Sequence, residues 1–126
     1  MRRYSMSVTF TKDKESKNLF VVQIKGIFTF EDLKEIQNKA RVEIDRSQKI
    51  KVLILAEQFS EWGKEGDWGD LKFMYEYDPY IEKIAIVADS KWKDEMLMFA
   101  GASSRQASVE FFLTDREEDA RVWLRN

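Results

Sequence analysis

Two short apolar runs decide the fold: KVLIL at residues 51–55 and KIAIVA at residues 83–88. Apolar and polar side chains do not alternate in either run, so each run predicts a strand that is buried on both faces. Such strands are typical of parallel sheets, because helices cover the faces of those sheets. The later run VEFFL, at residues 109–113, predicts a further strand of the same sheet.

Upstream of these runs, the sequence predicts a hairpin. Residues 4–10 alternate between apolar and polar side chains, which is the pattern of a half-buried strand. Residues 11–18 are polar and predict the connection. Residues 19–25 (LFVVQIK) predict an antiparallel return strand that ends at Gly26.

Two helix starts carry the spacing of a capping box, in which a hydroxyl side chain and an acidic side chain three residues later bond each other's backbone N–H groups. Thr29 and Asp32 predict a helix that runs to about residue 45. Thr114 and Glu117 have the same spacing and predict the start of the last helix.

Two more helices are predicted between the strands. One covers residues 67–77 and is stopped by Pro79, and the other covers residues 91–102 after an N-cap at Asp89. The element order is therefore β-β-α-β-α-β-α-β-α. This order predicts an α/β fold with a mixed, mostly parallel sheet and right-handed crossovers.

Composition narrows the functional classes. The chain has 126 residues, which predicts one domain over residues 1–126, and its net charge of −2 gives no basic excess for nucleic acid. It has no cysteine and no histidine, so it lacks thiol chemistry and the commonest general base and metal ligand. No run approaches the roughly 20 apolar residues of a membrane span. We therefore expect a cytoplasmic, non-enzymatic protein with no catalytic residue, no cofactor and no metal ion.

The helices predicted at residues 67–77 and 91–102 carry more apolar surface than one core-facing stripe needs. Phe73 and Tyr77 lie largely off the apolar face of the first helix, and Met98 lies off that of the second. A surface helix normally shows one apolar stripe opposite a polar face. The additional surface needs cover from another helix, a partner chain, a lipid surface or a nonpolar ligand.

One hypothesis places a hydrophobic pocket between these two helices, exposed when the first helix opens. Aromatic side chains at helical spacing are more often core residues, and this alternative stays open. Methionine suits surfaces that accept varied apolar partners. The predicted ligand-binding residues are Trp62, Trp68, Phe73, Met74, Trp92, Met96 and Phe99.

The segment before the first of these helices contains glycines and carboxylates. Gly63, Gly66 and Gly69 lack the Gly-Lys-Ser/Thr ending of a phosphate loop, so they predict either a flexible loop or the hinge of a lid. The carboxylates match no calcium loop in their spacing and predict a solvated loop. They are Glu57, Glu61, Glu65, Asp67 and Asp70.

From about residue 50 to its end, the chain resembles the SpoIIAA-like family, which has the fold of STAS, or anti-sigma-factor-antagonist, domains. Four segments carry the resemblance, in the order and spacing of that family. They are KVLILAEQFSEWG, WGDLKF, KIAIVADSKW and VEFFLTDREEDARVWL.

The resemblance implies a four- or five-stranded sheet with helices packed on one side. It also implies a nonpolar-ligand or membrane-associated role, through the likeness of the family to lipid carriers of the CRAL-TRIO type. STAS regulators are phosphorylated on a serine of an Asp-Ser-Ser-Gly-type segment that follows the third strand. This chain has GKEGDW at residues 63–68 in that region, and its nearest serine is Ser60, so we do not expect this switch.

The sequence thus supports two main hypotheses. In the first, a SpoIIAA-like protein binds a small nonpolar molecule or lipid in the apolar pocket, or associates reversibly with a membrane surface. In the second, the protein is an interaction module, a homodimer whose interface buries Phe73 and Tyr77. An enzyme is the least favoured reading, because no nucleophile–base pair can be proposed from the spacing of the residues.

Overall fold

The computed structural model of the chain describes residues 8–16, 18–47, 49–64, 66, 72–101 and 106–126. Within these residues the elements follow the predicted order. They are β1 (Val8–Lys12), β2 (Leu19–Phe28), α1 (Phe30–Ser47), β3 (Ile50–Trp62), α2 (Lys72–Tyr77), β4 (Ile81–Ala88), α3 (Lys93–Phe99), β5 (Ser108–Leu113) and α4 (Glu117–Arg125). Residues 4–7 of the predicted first strand lie outside the described residues.

The strands form one five-stranded sheet in the order β1-β2-β3-β4-β5. β1 pairs with β2 in the antiparallel direction, as predicted for the hairpin. β2, β3, β4 and β5 then pair in parallel, each with the next strand along the chain. The prediction of a mixed, mostly parallel sheet is therefore confirmed.

The central strands are buried on both faces, as their continuous apolar runs predict. Along β4, Ile84 and Ile86 belong to a cluster on one face of the sheet, and Ala85 and Val87 belong to a second cluster on the other face. This division follows from the alternation of side chains along a strand. The whole hydrophobic core therefore lies in two layers, one on each side of the sheet.

The helices divide between these two layers. Side chains of α1, α2 and α3 pack on the first layer, whereas Ala120 and Leu124 of α4 pack on the second. Right-handed crossovers between parallel strands in sequential order put every connecting helix on the same face. The expectation of one-sided packing thus holds for the three connecting helices. α4 follows the last strand and connects nothing, so it covers the opposite face.

Two strands run further than the sequence predicts. Gly26 does not end β2: it lies inside the strand at φ 67°, next to an irregularity in the pairing with β3. β3 continues to Trp62, so Glu57 and Glu61, which were predicted to lie in a solvated loop, lie in the strand instead. Beyond Leu55, β3 pairs with β2 and no longer with β4.

The first predicted capping box is present at the start of α1. The backbone N–H of Thr29 donates to the Asp32 carboxylate over 2.9 Å, and the backbone N–H of Asp32 donates to the Thr29 hydroxyl over 3.1 Å. The second predicted box is wrong. A 3₁₀ turn at Thr114–Arg116 comes first, and α4 begins after Arg116 with no side-chain cap.

The described part of the first predicted aromatic helix is helical and ends at Tyr77 as predicted, and its residues 67–71 lie outside the described residues. The second aromatic helix is shorter than predicted. α2 ends in a 3₁₀ turn at Asp78–Tyr80 that contains Pro79, the predicted helix stop. A 3₁₀ turn at Ser90–Trp92 precedes α3, and Asp89 caps it by accepting the backbone N–H of Lys91. No helix within the described residues is long and apolar enough to cross a membrane.

Two neighbouring lysines hold the end of α4 against the sheet. Lys51 and Lys83 are paired in register on β3 and β4. The Lys51 Nζ donates to the carbonyl oxygen of Leu124 over 2.6 Å, and the Lys83 Nζ donates to that of Trp123 over 2.8 Å. Cations stabilise the last turn of a helix, where backbone carbonyls lack helical partners.

A carboxylate ties the hairpin to the same helix. The half-buried Asp13 accepts the backbone N–H groups of Glu15 and Ser16, each over 3.1 Å, and the Arg121 guanidinium over 3.2 Å. Burial raises the pKa of Asp13, but these hydrogen bonds outweigh it and lower the pKa overall. The bonds therefore stabilise the fold above about pH 4, and this stabilisation is lost as the pH falls through the lowered pKa.

We predict that Asp13→Asn makes the free energy of unfolding less sensitive to pH in the acid range. At pH 7 the variant should lose about 0.5 to 1 kcal/mol of unfolding free energy, because a charged hydrogen-bond acceptor is removed. The difference from the original chain should shrink when urea unfolding is repeated near pH 2.5. Asp45→Asn, at an exposed position on α1, is the control. An equal loss at both pH values would contradict the prediction.

Candidate ligand-binding site

Five of the described aromatic rings meet at the end of β3: Phe28, Phe59, Trp62, Trp92 and Phe99. Trp62, the last residue of the strand, lies with its ring centroid 4.9 Å from Phe59 and 5.0 Å from Phe99. Phe59 also contacts Trp92, with 4.7 Å between ring centroids at an interplanar angle of 81°. Edge-on contacts at these distances are favourable for aromatic rings.

The long β3 strand brings Trp62 to this position. Phe28 and Trp62 are register partners at the ends of β2 and β3, and the Gly63 N–H donates to the Phe28 carbonyl oxygen over 2.8 Å. The Trp62 indole Nε1 donates to the Glu95 carboxylate over 2.7 Å. The strand end and this hydrogen bond to α3 thus fix the indole at the carboxyl edge of the sheet.

All five predicted site residues whose side chains the structure describes border the same core layer: Trp62, Phe73, Trp92, Met96 and Phe99. Trp62, Trp92 and Phe99 belong to the group of rings at the end of β3, and Met96 is buried at only 1% exposure. Phe73 stacks instead on Tyr77. Trp68 and the side chain of Met74 lie outside the described part of the structure. Ligand binding by these residues stays a prediction.

A cavity of about 600 Å³ lies beside Trp62, at the carboxyl ends of β2 and β3. Its walls are largely apolar. Ligands of open α/β sheets bind outside the carboxyl ends of the strands. The lining residues come from the end of β2, the first turn of α1, and the end of β3 with the loop after it: Ile27, Thr29, Phe30, Glu31, Glu61, Trp62, Gly63, Lys64 and Gly66.

Sequence reasoning missed two apolar residues that line this cavity, Ile27 and Phe30. Ile27 follows the glycine that was expected to end β2, and Phe30 lies in the first turn of α1, outside its apolar stripe. The sequence offers one general indication of this site, because ligands of α/β sheets bind at the carboxyl ends of parallel strands. That rule identifies Ile27 and Phe30 only when the true end of β2 is known.

Gly66 lines the cavity and packs closely against Phe30. Its φ of 108° is unfavourable for any residue with a side chain, and a Cβ at this position would overlap the Cβ and Cγ of Phe30. Only glycine lets the backbone approach the ring so closely. The predicted hinge role of this glycine is untested, but its packing role is visible.

A second, smaller cavity of about 240 Å³ lies between α1 and α2 and also has Phe30 in its lining. We call it the α1–α2 groove. Phe73 and Tyr77 form part of its wall, with their stacked rings 4.8 Å apart. The Arg41 guanidinium lies 6.0 Å from the centre of the Tyr77 ring. Lys34, Gln37, Lys72 and Glu76 also line the groove.

The predicted carboxylate cluster gives no metal site among the residues that the structure describes. There, no group of three or more acidic side chains is placed to hold a metal ion. Glu57 and Glu61 are exposed on β3, and Ser60 is exposed between them in the same strand. Glu65, Asp67 and Asp70 lie outside the described residues.

We predict that Gly66→Ala destabilises the fold by about 2 to 4 kcal/mol, because it adds the overlap with Phe30 to the backbone strain. Gly26→Ala is the matched control. Gly26 also has a positive φ, of 67°, but a Cβ there meets nothing within 4 Å, so about 1 kcal/mol of strain is expected. Urea unfolding measures both. Equal losses would show that the contact with Phe30 does not constrain the loop.

Comparison with known proteins identifies the family. No curated protein matches the sequence. An uncharacterised protein with a SpoIIAA-like fold from Shewanella loihica is similar in structure, with a TM-score of 0.70 at 15% identity over 98% of this chain and 99% of that one. An anti-sigma factor antagonist from Mycobacterium paratuberculosis is also similar in structure, with a TM-score of 0.56 at 15% identity over 95% of this chain and 96% of that one. These identities show a shared fold alone. The SpoIIAA-like family model matches residues 19–125, and the chain therefore belongs to the SpoIIAA-like family.

Proposed function

We propose that this protein is a binding protein for a small nonpolar ligand, held in the cavity at the ends of β2 and β3. The observation that carries the proposal is the cavity itself. Its volume of about 600 Å³ lies within the range of small-molecule pockets, and its walls are mostly apolar. It also lies where α/β sheets commonly bind ligands.

The walls of the cavity suit a ligand that binds through apolar contacts. Burial of apolar surface stabilises a complex by roughly 25 cal/mol per Å², so Ile27, Phe30 and Trp62 are the principal contacts. The bond from Trp62 to Glu95 holds one wall in place before a ligand arrives. A wall that is already ordered loses less entropy on binding.

Access to this cavity does not depend on the predicted opening of the helix at residues 67–77. Ile27 lines the cavity and is 47% exposed, so one wall already reaches solvent. Met96, in contrast, is buried in the core and needs a rearrangement before it can touch a ligand. The opening of that helix stays a prediction, as does reversible association with a membrane.

The test uses the neutral apolar dye N-phenyl-1-naphthylamine, whose fluorescence rises in apolar sites. We expect saturable binding to the purified protein. Ile27→Glu should weaken binding roughly tenfold or more, because it places a charge in the apolar wall. Val42→Glu, at an exposed apolar position on α1 away from the cavity, should bind as the original chain does.

Two outcomes would contradict the proposal: no saturable binding, or equal weakening by both variants. Circular dichroism and urea unfolding verify that each variant is folded. Both substituted positions are exposed, so neither change removes a core side chain. Organic extraction of the protein as purified from cells, followed by mass spectrometry, then identifies any natural ligand.

A protein-interaction module is the second candidate. Met98 on α3 is 76% exposed beside the aromatic cluster, a position that suits an apolar contact with a partner or a second copy. The similarity in fold to an anti-sigma factor antagonist also favours a regulatory partner. Phe73 and Tyr77, proposed for a dimer interface from the sequence, are half-buried against the core, so they offer less free surface.

For this second candidate we predict that the protein self-associates through α3. Sedimentation velocity over a hundredfold range of concentration should then show a dimer that Met98→Lys converts to a monomer. Val42→Lys is the control for an added charge at an exposed apolar site. A monomer at every concentration would exclude the homodimer.

A further inference from the structure

The cavity of about 600 Å³ at the carboxyl ends of β2 and β3, here called the strand-end cavity, shares the side chain of Phe30 with the α1–α2 groove. The described lining of the strand-end cavity is mostly apolar, and that of the groove is rich in cations. We propose that the ligand is a single-chain amphiphile with an anionic head group. Its chain occupies the strand-end cavity, and its head group passes Phe30 to reach the cations of the groove. This inference rests on the proposed function and names its ligand class.

The charges of the groove favour an anion. Among the described residues that line it, Lys34, Arg41 and Lys72 are cationic and Glu76 carries the one carboxylate. The chain as a whole has a net charge of −2, so this groove is positive on a protein that is otherwise slightly negative. A local excess of one sign raises the concentration of ligand groups of the opposite sign.

The strand-end cavity has the opposite balance. Its described lining has the carboxylates of Glu31 and Glu61 and one cation, Lys64. A carboxylate placed among these side chains would be repelled. The difference in charge between the two cavities therefore orients an anionic amphiphile, with its chain in the strand-end cavity and its head group in the groove.

Lys34 lies beside the shared wall. Its Nζ lies 5.7 Å from the centre of the Phe30 ring. The helix rises about 1.5 Å per residue, so Arg41 lies roughly 10 Å further along α1 than Lys34. A head group that has just passed Phe30 meets Lys34 first, and we infer that Lys34 is its principal partner.

The test measures displacement of N-phenyl-1-naphthylamine by three ligands with the same chain, at low ionic strength and below their micelle concentrations. The ligands are dodecanoate, dodecan-1-ol and dodecyltrimethylammonium. We expect dodecanoate to bind roughly two- to fivefold more tightly than the alcohol, since a partly exposed ion pair raises affinity by up to about fivefold. The preference should fall as salt is added.

Lys34→Gln should abolish the preference for dodecanoate and leave the affinity for dodecan-1-ol unchanged. The matched control is Lys39→Gln. Lys39 lies on the same helix, outside the groove, and pairs with Glu35 over 3.3 Å. Because both variants remove one positive charge from α1, any difference between them reports the position of Lys34 and not the net charge.

The outcomes separate the two proposals. Equal binding of the acid and the alcohol, or tighter binding of dodecyltrimethylammonium, would overturn the anionic head group and leave the apolar cavity standing. Failure of all three ligands to displace the dye would overturn both. Binding to vesicles of anionic phospholipid, without binding of monomeric dodecanoate, would show that the groove recognises a membrane surface and would overturn the single-chain ligand.

Discussion

The structure depends on the need to cover the central strands on both faces. β3 and β4 lie between other parallel strands and carry apolar side chains above and below the sheet. The three connecting helices can cover only one face, because their crossovers have one hand. α4 must therefore cover the other, and Lys51 and Lys83 hold its last carbonyls there.

The sequence predicts those parts of the fold that depend on local patterns. Continuous apolar runs identify β3 and β4, and the Thr29–Asp32 spacing identifies the start of α1 because its two hydrogen bonds involve neighbouring residues only. The second half of β3 was not predictable in this way. Beyond Leu55 that strand pairs with β2 alone, so polar side chains are tolerated and the apolar run stops while the strand continues.

The candidate site was predictable in part. Trp62, Trp92 and Phe99 do come together, because large aromatic side chains near the ends of strands and helices gather around a core. The cavity depends instead on tertiary geometry. Phe30 becomes a wall only because the backbone of Gly66 approaches it closely, and the two residues are far apart in the sequence. No local spacing carries that information.

The position of α4 also has a consequence for biosynthesis. α4 covers the second apolar layer and bonds the lysine pair, and it is made after every strand of the described sheet. That layer includes Leu53, Leu55 and Val87. A nascent chain that has completed β5 therefore displays an apolar sheet face with two adjacent ammonium groups at its edge. Such surfaces promote aggregation of partly folded chains. Charged side chains that flank an apolar surface oppose such association, and the lysine pair has that position until residues 117–125 are made and the helix docks.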